Sequence, residues 1–144
     1  MTQDQKELLL KDLCVRLPYG VKFPMMCWDD KIGETIRPVT LYSINQDGYC
    51  RVSEDDYSPY IDEVKPYLFP LSSMTNEQLF EVSEILGKDV VIFSDYLLTI
   101  NNCRKSFSYQ ELDTLFIWFD KNHFDYRGLI PMGLAEDATG LNIY

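Results

Sequence analysis

Apolar positions recur at helical spacing near the start of the chain: from Asp4 on, Leu8, Leu9, Leu13 and Leu17, with Leu10 and Cys14 beside them. That period lays an apolar stripe along a helix, and Asp4 and Glu7 stand at the separation of a capping box. Pro18-Tyr19-Gly20 ends it, because proline disfavours helical backbone in its predecessor and glycine accepts a left-handed turn. Between Val21 and Val52 the period shortens. Val21-Lys22-Phe23, Ile36 to Ile44 and Tyr49-Cys50-Arg51-Val52 are β-branched or aromatic runs divided by turn residues. Asp47-Gly48 is a hairpin signal, since its turn needs positive φ. A small antiparallel sheet is predicted, an SH3-like barrel being one form it can take. Pro24 and Pro38 cannot donate to a ladder and belong at edges, bulges or strand starts.

From Glu54 to Ser73, Pro59, Pro66 and Pro70 exclude a long helix. Val64, Tyr67, Leu68, Phe69 and Leu71 are nevertheless too apolar for a loose linker, so an ordered crossing segment packed on the sheet is expected. Thr75 as cap, Gln78 reaching back and Met74 against Leu79 announce a second helix, striped by Leu79, Val82 and Leu86 and ended by Gly87. Asp89 to Phe93 and Tyr96 to Ile100 read as two strands around Ser94-Asp95. Phe107-Ser108-Tyr109-Gln110-Glu111-Leu112 repeats the cap, box and staple, opening a third helix with Leu112, Leu115, Phe116 and Phe119 on one side. Leu129, Ile130, Met132, Leu134, Leu141 and Ile143 are enough for the segment to Tyr144 to dock. The fold class is α+β: an N-terminal helix, a small antiparallel sheet, then two capped helices flanking a short hairpin. With no repeat, low-complexity tract or flexible linker, one domain over residues 1–144 is expected.

Composition narrows the chemistry. With 46% apolar residues and 14% aromatics, the chain has ample material for a core. Its 13 basic and 23 acidic residues leave a formal net charge of -10, which repels a phosphate backbone unless cations gather locally. None gather. Met1 to Val64 holds 7 basic and 12 acidic residues and Lys65 to Tyr144 holds 6 and 11, so the excess is spread evenly. Cys14, Cys27, Cys50 and Cys103 are widely separated and read as reduced thiols, in keeping with a cytoplasmic protein. The opening MTQDQKELLLKDL lacks the basic start and apolar run of a secretory signal, and no stretch approaches ~20 apolar residues, so no membrane partner is expected.

No catalytic constellation emerges. His123 is the only histidine and sits where the third helix's stripe runs out, a position that suits a helix C-terminus. Cys103, near Arg104 and Lys105, is the best thiol nucleophile, yet a Cys103–His123 pair lacks a third member. Zinc is disfavoured because no two cysteines stand at ligand spacing. Glu54-Asp55-Asp56 and Asn45-Gln46-Asp47-Gly48 lack the alternating ligands of a calcium loop. There is no phosphate-binding glycine loop, and no cofactor is implied. Tyr57, Tyr60 and Tyr67, interleaved with Pro59, Pro66 and the acids Asp55 and Asp56, are the candidate binding residues, because tyrosine joins a large apolar body to a polar tip.

Three strings carry a resemblance: Leu13 to Val21 (LCVRLPYGV), Lys65 to Thr75 (KPYLFPLSSMT) and His123 to Tyr144 (HFDYRGLIPMGLAEDATGLNIY). They resemble a family of small proteins of gut Bacteroidetes and their phages and prophages, a family with no known activity. The resemblance implies a mobile-element setting and transfers no catalytic residue. The leading expectation is a non-enzymatic phage or prophage module that binds a protein partner and makes no direct contact with nucleic acid. Its rivals are an acidic nucleic-acid mimic that occupies a host DNA-binding protein, and a thiol enzyme using Cys103.

Overall fold

The computed structural model describes residues 1–53, 58–87, 90–94, 97–100 and 107–144, with 90–94 and 97–100 by backbone alone. Its first helix, α1, spans Gln3–Arg16. The capping box is Thr2 with Gln5 rather than Asp4 with Glu7. Thr2 Oγ1 accepts the Gln5 amide at 3.2 Å, and Gln5 Oε1 accepts the Thr2 amide at 2.9 Å. This pair satisfies two amides that a helix start leaves orphaned, so the helix begins before Asp4, and Asp4 falls in the first turn near the positive dipole end. A 3-10 turn, Leu17–Tyr19, closes at Gly20 with φ 70°, as the Pro-Tyr-Gly signal predicts.

Strand β1 (Lys22–Asp29) pairs antiparallel with β2 (Gly33–Ile44), from Lys22 opposite Thr40 to Asp29 opposite Gly33. β1 therefore runs well beyond the Val21-Lys22-Phe23 segment that the sequence delimits. Pro24 does not stop it, because β1 is an edge strand and a residue whose N–H would point away from β2 needs no donor. β3 (Cys50–Val52) pairs with β2 across the Asp47-Gly48 turn, where Gly48 has φ 88°. The sheet order is β1-β2-β3, with a register shift between Leu41 and Ser43.

The chain divides into two compact units, residues 1–68 with 129–144 and residues 69–128. In the first, Phe23, Met25, Cys27, Val39, Leu41, Cys50 and Val52 from the sheet meet Leu9 and Leu13 of α1. Ile61 and Val64 join them, so this part of the crossing segment packs on the sheet, whereas Leu71 and Phe69 belong to the core of the second unit. Strand β4 (Tyr67–Leu68) then forms a parallel ladder with β7 (Glu136–Asp137), and Leu68, Leu129, Leu134 and Ala135 cluster together. The segment to Tyr144 is thus docked through backbone and side chains.

In the second unit, α2 (Asn76–Leu86) is capped by Thr75 and Gln78 and ends on left-handed Gly87. β5 (Val90–Ser94) and β6 (Leu97–Ile100) form the antiparallel hairpin, and α3 (Tyr109–Lys121) is capped by Ser108 and Glu111. Leu71, Met74, Val82, Leu86, Leu115, Phe119 and Phe124 make its core. Phe116 lies at the margin of the α3 stripe, half in solvent and stacked on Tyr126 at 5.1 Å. The architecture is α+β. Among the described residues no helix is long and apolar enough to cross a membrane.

Candidate interaction face

Successive side chains of a strand point to opposite faces. In β1 the inward set is Phe23, Met25 and Cys27, all buried, which turns Met26 and Trp28 outward. On β2, Ile36 stands opposite Met26 and Glu34 opposite Trp28. Met26 is 57% exposed, Trp28 72%, Ile36 63%, and Ile32 at the hairpin tip 71%. At about 200 Å² for a large side chain, these four residues leave roughly 500 Å² of apolar surface in water. The largest apolar patch on a typical monomer is about 300–600 Å² and is often functional.

The tip that carries this surface is tied down. Asp29 Oδ1 accepts the Lys31 amide at 2.9 Å and the Ile32 amide at 3.3 Å, and Oδ2 takes the Arg37 guanidinium. The Lys31 amide foremost, with help from Arg37 and Ile32, holds the Asp29 carboxyl below the usual carboxylate range. A side chain that mimics the turn's own hydrogen bonds fixes the turn, and Gly33 supplies the positive φ of 79° that follows.

Of the residues singled out from the sequence, Tyr60 and Tyr67 lie elsewhere. Asp55, Asp56 and Tyr57 fall outside the described residues. Tyr60 is half-buried and built into the fold: Lys6 Nζ donates to its hydroxyl at 2.7 Å and lies 4.2 Å from its ring centroid. Tyr49 packs edge-on against it at 5.4 Å. A Cβ added at Gly48 would come within 3.0 Å of the Tyr60 ring, so glycine serves there both the turn and the close approach. The bond to Tyr60 raises the Lys6 ammonium above its ordinary value. Tyr67 accepts the Tyr144 hydroxyl on its carbonyl at 2.9 Å, and burial foremost, then Glu136, raises its phenol. Tyr144 as a residue is 42% exposed. Its hydroxyl end is nonetheless tucked in, which pushes its phenol up to about 12.

The thiol chemistry divides similarly. Cys103 lies outside the described residues. His123 is buried just past α3 with φ 58°, and its carbonyl accepts the Phe69 amide at 2.9 Å. Cys14, Cys27 and Cys50 are free thiols. Burial foremost, then Cys14 and Glu63, pushes the Cys50 thiol up to about 11, which keeps it protonated and non-nucleophilic at neutral pH. Brief native alkylation at pH 7 followed by peptide mapping should find exposed Cys14 modified and Cys50 untouched. Rapid labelling of Cys50 would contradict its placement.

This exposed apolar face was not apparent from the sequence because an apolar residue carries no mark of which side of a sheet it occupies. The available signal was the strand Phe23 to Trp28 itself, apolar on both alternating sets. Comparison of the chain with family models, with curated proteins and with solved structures found no match in any of the three.

Proposed function

We propose that this chain is a non-enzymatic protein-binding module of a phage or prophage, and that it docks a protein of the bacterial host on the outward face of the β1–β2 hairpin. The observation that carries this reading is the exposure of Met26, Trp28, Ile32 and Ile36 on a tip held by Asp29. Tryptophan is enriched among residues that dominate binding energy, and a rigid scaffold lowers the entropy lost on docking. The absence of a catalytic constellation in the sequence supports the same reading, and the family resemblance supports the mobile-element setting.

The test is affinity capture from host lysate with the wild-type chain and with Trp28→Thr/Ile36→Thr. Threonine keeps strand propensity and removes the apolar surface. Captured host protein should fall at least about tenfold, as truncation of a hot spot costing about 2 kcal/mol implies. Melting temperature should barely change, since both positions are exposed. Equal capture by the two proteins would remove the hairpin face from consideration.

A further inference from the structure

The β1 strand leaves an open edge whose phase can be worked out. The Val21 carbonyl accepts the Leu41 amide at 2.9 Å, whereas the Lys22 amide points away from β2 and donates to the Tyr144 hydroxyl at 3.0 Å. Antiparallel pairs alternate between bonded and non-bonded. Combined with the register, this means that Phe23, Met25, Cys27 and Asp29 bond to β2. Lys22, Pro24, Met26 and Trp28 turn their backbone groups to the free side. The proximal half of that side is blunted, because Tyr144 takes the Lys22 amide and Pro24 has none to offer. Beyond Pro24 this protection stops. Among the described residues no hydrogen-bond partner is recorded for the Met26 and Trp28 amides. An open, apolar strand edge is a template for another strand.

We infer that a second copy of this chain pairs there, its β1 antiparallel about a two-fold axis at Cys27. One operation sets Met26 against the partner's Trp28 and Trp28 against the partner's Met26, each pair exchanging both ladder bonds. On the outer face, thioether lies against indole, a favourable cross-strand contact. A groove of about 420 Å³, lined by Phe23, Pro24, Met25, Met26, Pro59 and Glu63, opens beside this stretch of β1. The distal edge of β2 is also clear of β3, which pairs only with Leu41, Ser43 and Ile44. Self-pairing about Thr35 would, however, place Glu34 against Ile36, a charge over apolar surface, so β1 is the edge that self-associates.

This inference rests on the hairpin face being a contact surface and enlarges it. One copy's roughly 500 Å² falls short of the ~800 Å² that each partner of a specific interface typically buries. Two hairpins joined edge to edge place up to about 1,000 Å² on one continuous sheet face.

Sedimentation of the purified chain reads the pairing directly. Wild type should show twice the monomer mass at high concentration. Met26→Pro should halve it while keeping the wild-type circular dichroism, because that amide serves no bond to β2, and Pro24 already occupies an equivalent position. Met26→Val, which keeps the amide, and Ile36→Pro, on the other edge, should both remain dimeric. Should Met26→Pro fail to fold, amide exchange at Met26 and Trp28 in wild type reads the same contact, slowing as concentration rises. A wild-type monomer throughout, a dimer that survives Met26→Pro, loss of the dimer in Met26→Val or Ile36→Pro, or exchange independent of concentration would overturn the inference. Mass is measured without host protein. A monomer that still captures its host partner sinks only the self-pairing, and a dimer that captures nothing sinks only the host-binding reading.

Discussion

Arg16→Met is expected to lower the unfolding free energy by about 3–5 kcal/mol, the range for removing one partner of a buried ion pair. Arg16 and Asp12 are both fully buried, one helical turn apart on α1. Arg16 donates through Nε to Asp12 Oδ2 at 2.8 Å and through a terminal nitrogen to Oδ1 at 3.1 Å, a two-pronged geometry that lysine could not reproduce. Methionine keeps most of the volume, so the loss reports mainly the charge and the paired hydrogen bonds that Arg16 brings to Asp12. Asp12→Leu/Arg16→Met removes both charges and should recover most of the stability, since apolar replacement of a whole buried pair is often neutral or better. Chemical denaturation of the three proteins checks this. A single variant costing under about 1 kcal/mol would place the pair in the solvated class.

The second large effect lies in the other unit. Phe124→Ala should cost about 3–5 kcal/mol, the range for deleting a buried aromatic ring. Phe124 is 2% exposed and lies parallel to Trp118 at 5.6 Å, with Phe119 at 6.4 Å and Phe69 at 6.1 Å around it. Its removal takes away dispersion partners on several sides and leaves a cavity that these rigid rings cannot readily fill. Phe124→Leu should cost distinctly less. Trp118 fluorescence reports the change locally, because its indole faces the substituted ring. An unfolding midpoint unmoved by Phe124→Ala would mean that this aromatic cluster does not hold the unit together.

Much of the local architecture was legible in the residues because its causes are local. Thr75 with Gln78 and Ser108 with Glu111 satisfy orphaned amides within a single turn, so three or four residues specify where α2 and α3 begin. The α1 cap was misjudged by two residues because two candidate boxes overlap, and only the bonds made by Thr2 and Gln5 decide between them. The prolines were assigned to edges, bulges or strand starts; Pro24 is on the edge strand, and Pro38 sits in β2 where β3 does not pair with it. Pro24 and Pro38 face each other as a non-bonded pair in a part of the hairpin that β3 does not reach. Their presence also hid the strand, since a proline in an apolar run reads as an interruption until the neighbouring ladder is known. The described tyrosines looked like surface residues because their chemistry suits interfaces, but Tyr60 holds Lys6 and Tyr67 holds Tyr144 across long stretches of chain.

By itself, then, the sequence determined the α+β class, the starts of α2 and α3, the hairpin turn at Asp47-Gly48 and the even spread of acidic charge along the chain. All of these follow from backbone preferences and charge, which act over a few residues or over the whole composition. Only the tertiary structure decided that Phe23, Met25 and Cys27 turn inward while Met26 and Trp28 turn out. It alone set Asp12 against Arg16 in the dark. The physical reason is that burial belongs to the pairing of distant segments: a methionine has the same side chain at 25 and at 26, and which one meets water depends on what packs across the sheet.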